Sequence, residues 1–536
     1  MGSPVLLKEF AWNFDVWTYR SEPGLLTPFR SGIVFAGEYD GGKSRDLWQG
    51  KELWQSNGTV KGTLIAADIH KGVPELNISN GASRPHNFIS FGQSIFFVAE
   101  EPFGGKELWS FNGKNARRLK DLRPGIYGYE DLSLWGVLGK KLFFQAGGAI
   151  WTSDGSKAGT KPLIFDAASK GGLYGLSRTL ANDDIASFRG DFYFPYRNVL
   201  GRSQIWRTDG TAKGTLRIPL KDTDAVFPEQ LTPSRTSLFF TAIDYTSDAG
   251  RELWKTDGTS KGTVLVKAIN PTPSSEGPTW LTMCGGYLFF SADDGIHGRE
   301  LWMSDGTTKG TRLAKNIAPE ILPGVRESSN PSQLTAVGDI LYFVANDGPR
   351  GPELWKTDTR NLRTAIVKDI TTGFFGTGSS IRNLTAVGNK LFFTTDNTSG
   401  SNLWVTDGST GGTLQIKEAT GRSISEITLS GAKLFWSEGD QLWALDVKDE
   451  LTGMGSRLST PLDRTSRLRS AVSLAPSLAD SAGCNILSTC GFAHTPSSPL
   501  GSSKYNPLGS CEGNSSASPT IAMERFQPLS GISAEL

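Results

Sequence analysis

The chain has 536 residues, with Lys plus Arg at 55 against Asp plus Glu at 54, so it carries no field that would gather nucleic acid or an anionic membrane surface. Its apolar runs stay far short of the roughly 18 residues that span a bilayer, which excludes helical membrane insertion. Four cysteines, Cys284, Cys484, Cys490 and Cys511, are too few to staple a protein of this size, so the fold must rest on an apolar core.

The chain opens on Pro4-Val5-Leu6-Leu7-Lys8-Glu9-Phe10, a short strand pattern whose Met1–Leu7 start matches neither a secretion signal nor a myristoylation site. From about Leu26 a unit then recurs, marked by Trp54, Trp109, Trp151, Trp206, Trp254, Trp302, Trp355, Trp404 and Trp443 at spacings of 39 to 55 residues. Periods of that length belong to propellers and other arrays. Residues 384–417 show the unit: Leu384–Val387, a Gly-Asn turn, Leu391–Thr394, a polar loop, Asn402–Val405, a Gly turn, and Thr413–Ile416. Four short runs of branched and aromatic residues, with turn residues between them, predict a four-stranded antiparallel meander. Repeated around a channel, that meander is the blade of a β-propeller.

The last unit, Ile424 to Val447, supplies only three strands. Val5–Phe10 has the pattern of fourth strands such as Thr263–Lys267, so the chain start is expected to complete the final blade and remove the open edges of a linear array. The fold class expected is all-β: a single large propeller of about nine blades over residues 1–449. Two smaller propellers are the alternative, but the longest stretches between units, near His70 to His86, Gly171 to Asp183 and Ala318 to Gln333, are loop-sized rather than linkers. From 450 to 536 Ser, Pro and Gly dominate and the Trp rhythm stops, which predicts a disordered tail or a stretch read in the wrong frame.

The most regular element is Glu252-Leu253-Trp254-Lys255-Thr256-Asp257-Gly258-Thr259. Its Asp, repeated as Asp154, Asp209, Asp305 and Asp407, falls in the connection from third to fourth strand, where a carboxylate accepts turn N–H groups and Gly supplies positive φ. Asn57 in one copy and Asn112-Gly113 in another keep turn chemistry, which favours a turn over a metal ligand. Each repeated Trp is expected between neighbouring blades, with its indole N–H meeting a backbone carbonyl.

The tight turns share one end of such a ring, so the longer second-to-third loops and the crossings between blades share the other, where binding residues belong. The candidates there are His70, His86, Asp293, Asp294, His297, Arg299 and Asp347, beside Asp244-Tyr245 and Glu38–Gly42. These groups suit calcium or a glycan, yet Asp-Gly pairs are also ordinary turn chemistry, and no calcium-loop spacing is matched. His70, His86, His297 and His494 form no metal-spaced pair, and no nucleophile elbow, P-loop or dinucleotide fingerprint occurs. No catalytic residue and no obligate cofactor is assigned; a carboxylate pair across the channel, for glycosidic chemistry, is the one catalytic arrangement the sequence leaves open.

The copies around Trp254 and Trp302 resemble the signature of the ELWxxDGT-repeat family of propeller proteins, from about Leu26 to Trp443; the copy at Trp355 departs as Thr357-Asp358-Thr359, and those at Trp109 and Trp443 lose the Gly-Thr half. The turn is also similar to the Asp-box hairpin of sialidase-type propellers. The resemblance implies a propeller, often in secreted or surface proteins, with a secretion signal expected upstream of this sequence. It carries no catalytic residues. The function expected is a noncatalytic, monomeric binding or scaffold propeller for a protein or carbohydrate partner. A glycan-active hydrolase or lyase, or a calcium-dependent adhesive module, is the competing expectation.

Overall fold

A computed structural model describes residues 2–14, 17–20, 22–38, 50–69, 82–101, 105–125, 128–163, 184–197, 203–218, 225–244, 250–270, 276–319, 327–370, 380–397, 400–418 and 421–451. The chain divides into two compact units, 1–475 and 476–536, and everything that follows concerns the first; the predicted tail beyond Leu451 lies outside the described residues.

Nine four-stranded antiparallel sheets form the β-propeller. Eight are built from consecutive strands, spanning residues 24–67, 86–120, 133–162, 186–217, 225–267, 279–315, 332–368 and 380–417 for blades 1 to 8. Blade 6 is typical, with strands Thr279–Cys284, Tyr287–Asp293, Arg299–Ser304 and Arg312–Lys315. Blade 9 takes three strands from residues 424–446 and its fourth from Val5–Glu9, which pairs Val5 with Ala444 and Glu9 with Gln441. The expected closure by the N-terminal strand is therefore present. A hairpin that the repeat pattern did not announce, Ala11–Phe14 with Trp17–Arg20, follows this strand, and one helical turn, Lys448–Leu451, ends the described chain.

The apolar core is a set of blade interfaces. Among the described residues the buried side chains form nine clusters, one for each pair of adjacent blades, including the pair 9 and 1, where Leu7, Phe10, Phe435 and Leu442 pack on Leu26, Phe35 and Trp54. An open row of nine blades would have eight such interfaces; the ninth is what closes the ring. Each of the nine repeated tryptophans sits in a different cluster, facing the preceding blade, and in several blades its ring stacks on the aromatic opposite it in the second strand, as in Phe290–Trp302 at 6.5 Å and Phe35–Trp54 at 6.2 Å.

The structure corrects the expected partner of the indole. Trp151 donates to a backbone carbonyl, that of Ala146 at 3.0 Å, but Trp404 uses Thr395 Oγ1 and Trp443 uses Gln441 Oε1. Trp54, Trp109, Trp254, Trp302 and Trp355 bury their N–H groups without an acceptor, so ring packing outweighs a cost of about 1–3 kcal/mol for each. A lysine from the fourth strand of the preceding blade covers several of these rings, Lys267 lying 5.5 Å from Trp302 and Lys417 4.4 Å from Trp443. Lys8 does the same to Trp54 at 5.5 Å, so the N-terminal strand reproduces the inter-blade device as well as the hydrogen bonding.

Candidate functional site

The end with tight turns is consumed by its own structure. In blade 5, Asp257 Oδ1 accepts the N–H of Thr259 at 2.9 Å and its hydroxyl at 2.7 Å, and Thr259 Oγ1 accepts the N–H of Gly262 at 3.0 Å. Gly258 has φ +94°, and a Cβ on Gly262 would collide with the Asp257 carboxylate, so both glycines are required where they stand. Asp154, Asp209, Asp305 and Asp407 make the same bonds, as does Asn57 with its amide oxygen. The Ser or Thr donors hold these aspartates below the usual carboxylate range.

At the opposite end, the Glu of the repeated Glu-Leu-Trp has a role that the sequence reading did not assign. The Glu300 carboxylate is fully buried and accepts the N–H groups of Ile317 at 2.8 Å, Ala318 at 3.2 Å and Ser329 at 3.1 Å, with the Ser329 hydroxyl at 2.5 Å. One side chain thus pins both ends of the crossing from blade 6 to blade 7. Glu52 holds Ile69 and Ser83 in the same way, Glu252 holds Ile269 and Asn270, Glu107 holds Leu122, and Glu353 holds Ile370. Burial pushes Glu52, Glu107 and Glu252 up to about 7 against the pull of these donors, and raises Glu300 also. The variable crossings therefore hang from fixed bases.

Between those bases, the second-to-third loops of blades 6 and 7 share a design. Asp294 Oδ1 accepts the N–H of His297 at 2.8 Å, and its Oδ2 lies 2.7 Å from His297 Nδ1; Asp347 accepts the Arg350 N–H at 3.1 Å and pairs with the Arg350 guanidinium. Burial raises the Asp294 carboxyl, but the His297 and Ile296 donors outweigh it and leave the group below its ordinary value. Asp293 caps the Gly295 N–H at 2.7 Å. Arg299 reaches across its blade, donating to Gly277 O ahead of the first strand at 3.1 Å and to Ser291 O of the second at 3.3 Å, and Arg251 repeats this in blade 5 with Phe227 O and Thr241 O. His86 Nδ1 contacts Arg84 O at 2.9 Å on the first strand of blade 2. Asp293, Asp294, His297 and Asp347 thus bond within their own loops, and Arg299 braces its blade. His70, Tyr39–Gly42 and Tyr245 lie outside the described residues, and of Asp244 only the backbone is described.

A second feature escaped the sequence reading. In the first, channel-lining strand of six blades the register slips at a bulge whose residue is left-handed: Leu25, Asn87, Gln230, Trp280, Gln333 and Asn383, with φ between 53° and 63°. The four amides bridge to the first strand of the next blade. Gln230 Nε2 donates to Pro278 O at 3.1 Å, Gln333 Nε2 to Ile381 O at 2.7 Å, Asn383 Nδ2 to Ile424 O at 3.0 Å, and Asn87 exchanges bonds with Leu134. In blade 9, the Glu426 carboxylate crosses the seam to the N–H groups of Leu25 at 3.0 Å and Leu26 at 2.8 Å. The recurrence Gln-Leu-Thr, Asn-Leu-Thr, Trp-Leu-Thr and Leu-Leu-Thr was the available signal.

These features define the chain as a nine-bladed β-propeller with a self-satisfied turn end, a clamped loop end and a stitched channel wall. It matches no protein-family model and none of the curated proteins. Among solved structures it is similar to the computationally designed Ika8 protein, at 12% identity and TM-score 0.38 over 68% of this chain and 98% of that one. It is also similar to puromycin hydrolase, at 12% identity and TM-score 0.35 over 66% and 58% of the two chains, and to a prolyl endopeptidase, at 15% identity and TM-score 0.38 over 68% and 47%. The chain spans about half the length of these two hydrolases, and likenesses at this level carry no argument about activity.

Proposed function

We propose that the chain is a noncatalytic binding propeller of the ELWxxDGT-repeat kind, presenting its loop-bearing end and channel mouth to a protein or carbohydrate partner. The observation that carries this reading is the division between the two ends. Repeat residues are committed to turns and clamps, while the segments that vary from blade to blade are held on rigid bases at one end, the arrangement by which scaffolds display recognition loops. The acids with raised proton affinity belong to the clamps: Glu52, Glu107 and Glu252 are buried and accept backbone N–H groups, which suits them to hold crossings and not to protonate a ligand. The Asp294 and Asp347 carboxylates face inward to loop N–H groups, which weighs against a calcium requirement.

Thermal melting of the full chain tests this. A glycan or protein partner present at one hundred times its Kd should stabilise the native state by about 2.7 kcal/mol, whereas calcium and chelator should leave the midpoint unchanged. A shift with calcium, or hydrolysis of a glycan with a bell-shaped pH profile, would overturn the reading.

A further inference from the structure

Trp280 and Leu25 occupy the left-handed bulge position at which other blades place a bridging amide, and both are exposed, Trp280 at 40% and Leu25 at 44%. A left-handed backbone is costly for a bulky side chain. In blade 6 that cost is not offset by the bond to the next blade that Gln230, Gln333 and Asn383 obtain. The indole's root is nevertheless fixed: Gln230 of blade 5 bonds Pro278 O at 3.1 Å and Leu281 N at 3.4 Å on either side of it, and Thr282 Oγ1 holds Trp280 O at 3.0 Å and Leu334 O of blade 7 at 3.3 Å. Blade 6 therefore displays an exposed aromatic side chain on a hydrogen-bonded stretch of its channel-lining strand.

Two ion pairs lie along the same wall. Arg251 lies 3.2 Å from Glu229, the residue before Gln230, and Arg299 lies 3.5 Å from Glu276 while reaching Thr279 Oγ1 at 3.4 Å, beside Trp280. Among the described residues each of these two carboxylates already has its cation, so the two pairs do not select a lysine or arginine side chain. They offer paired donors and acceptors to hydroxyl groups, and the indole face offers an apolar platform to C–H groups. We propose that Trp280 is the stacking platform of a site for a neutral glycan on the channel wall, with Glu229 and Glu276 as acceptors for its hydroxyls. This deepens the binding reading above and rests on it.

The test is calorimetric titration of the full chain with soluble neutral oligosaccharides of four to six pyranose units from β-glucan, chitin and xylan, using wild type, Trp280→Ala and Trp280→Gln. Wild type should bind at least one series, and both variants should lose about tenfold or more in affinity, the equivalent of about 1.4 kcal/mol. Trp280→Gln should melt at or above the wild-type temperature, because Gln at this position regains the bond to the neighbouring blade. If Trp280→Gln does not fold, Trp280→Phe, with a smaller ring, should bind with intermediate affinity. Oligosaccharide binding that is unchanged in the variants would overturn this site and leave the binding reading standing. No binding to any of the three series overturns the glycan assignment, and capture of a Lys- or Arg-rich peptide dependent on Trp280 would replace it with a cationic ligand.

Discussion

Removing residues 1–10 should expose how much the seam contributes to the ring. The deletion takes out Leu7 and Phe10, both buried in the cluster shared by blades 9 and 1, together with the Phe10 N–H bond to Asp440 O at 2.7 Å and the cover of Lys8 over Trp54. Large-to-small values of about 2–5 kcal/mol for Leu and 3–5 for Phe put the loss near 5–10 kcal/mol. For roughly 450 residues the unfolding entropy is about 1 kcal/mol/K, so the midpoint should fall by about 5–10 °C. Scanning calorimetry of the truncated and full chains reads this directly, and a synthetic peptide of residues 1–10 added in excess should recover part of the shift. Phe10→Ala, expected to cost about 3–5 kcal/mol, reads the same interface if the truncated chain fails to fold. An unchanged midpoint in both variants would refute the shared blade and the closure argument with it.

Other consequences are testable in the same way. Glu300→Ala leaves three buried N–H groups without their acceptor, so it should cost about 3–6 kcal/mol and speed amide exchange at Ile317, Ala318 and Ser329; exchange confined to its wild-type rate there would show that the clamp is incidental. Because Glu52, Glu107 and Glu252 bind protons more tightly folded, near 7, than unfolded, near 4.5, their contribution is fully present below the unfolded value and is lost as pH rises through 7. The turn aspartates act oppositely, contributing above their unfolded value and losing it as pH falls through their depressed one. Urea midpoints should therefore peak in mildly acid solution, and a monotonic rise from pH 5 to 8 would contradict the assignment. Asp257→Asn should be nearly silent, since Asn57 makes the same two bonds, whereas Asp257→Ala should cost about 1 kcal/mol, the usual value of such a side-chain-to-backbone cap. Trp302→Ala should cost about 3–5 kcal/mol, and a loss well below 1 would place the ring outside the interface.

The blade was legible in the sequence because each strand is short, apolar and bounded by Gly and Asx turns, and because Val5–Phe10 reproduces the fourth-strand pattern that the last unit lacks. The turn aspartates were legible for the same reason: the groups they accept from lie two residues away. What stayed hidden depends on contacts between residues far apart in the chain. Glu300 looks like any polar residue at a strand start until Ile317 and Ser329 are folded onto it. Likewise, Gln333 is unremarkable until Ile381 arrives 48 residues later. The indole partners were misread because an unpaired N–H is costly in isolation, and the sequence could not weigh that cost against stacking on Phe290 and cover from Lys267. Asn383, which carries the sequence pattern of a glycosylation site, is instead a buried amide bridging two blades. The sequence placed Asp294 and His297 in a second-to-third loop, where they lie, but could not tell that they bond to each other.

The shared blade also sets a timetable for synthesis. Glu9 and its partner Gln441 are 432 positions apart, so at about 5–20 residues per second the first strand must wait roughly 20–90 seconds for its mate to leave the ribosome. Throughout that interval Leu7 and Phe10 lack Phe435 and Leu442, and the strand Val5–Glu9 has no partner strand. The nascent array exposes an adhesive apolar margin at each end until the final blade emerges. Two chains translated side by side could satisfy those margins with each other, giving an exchanged dimer in place of two closed rings. Conditions that slow translation or crowd ribosomes should therefore tax this protein more than a propeller whose blades are each complete when they appear.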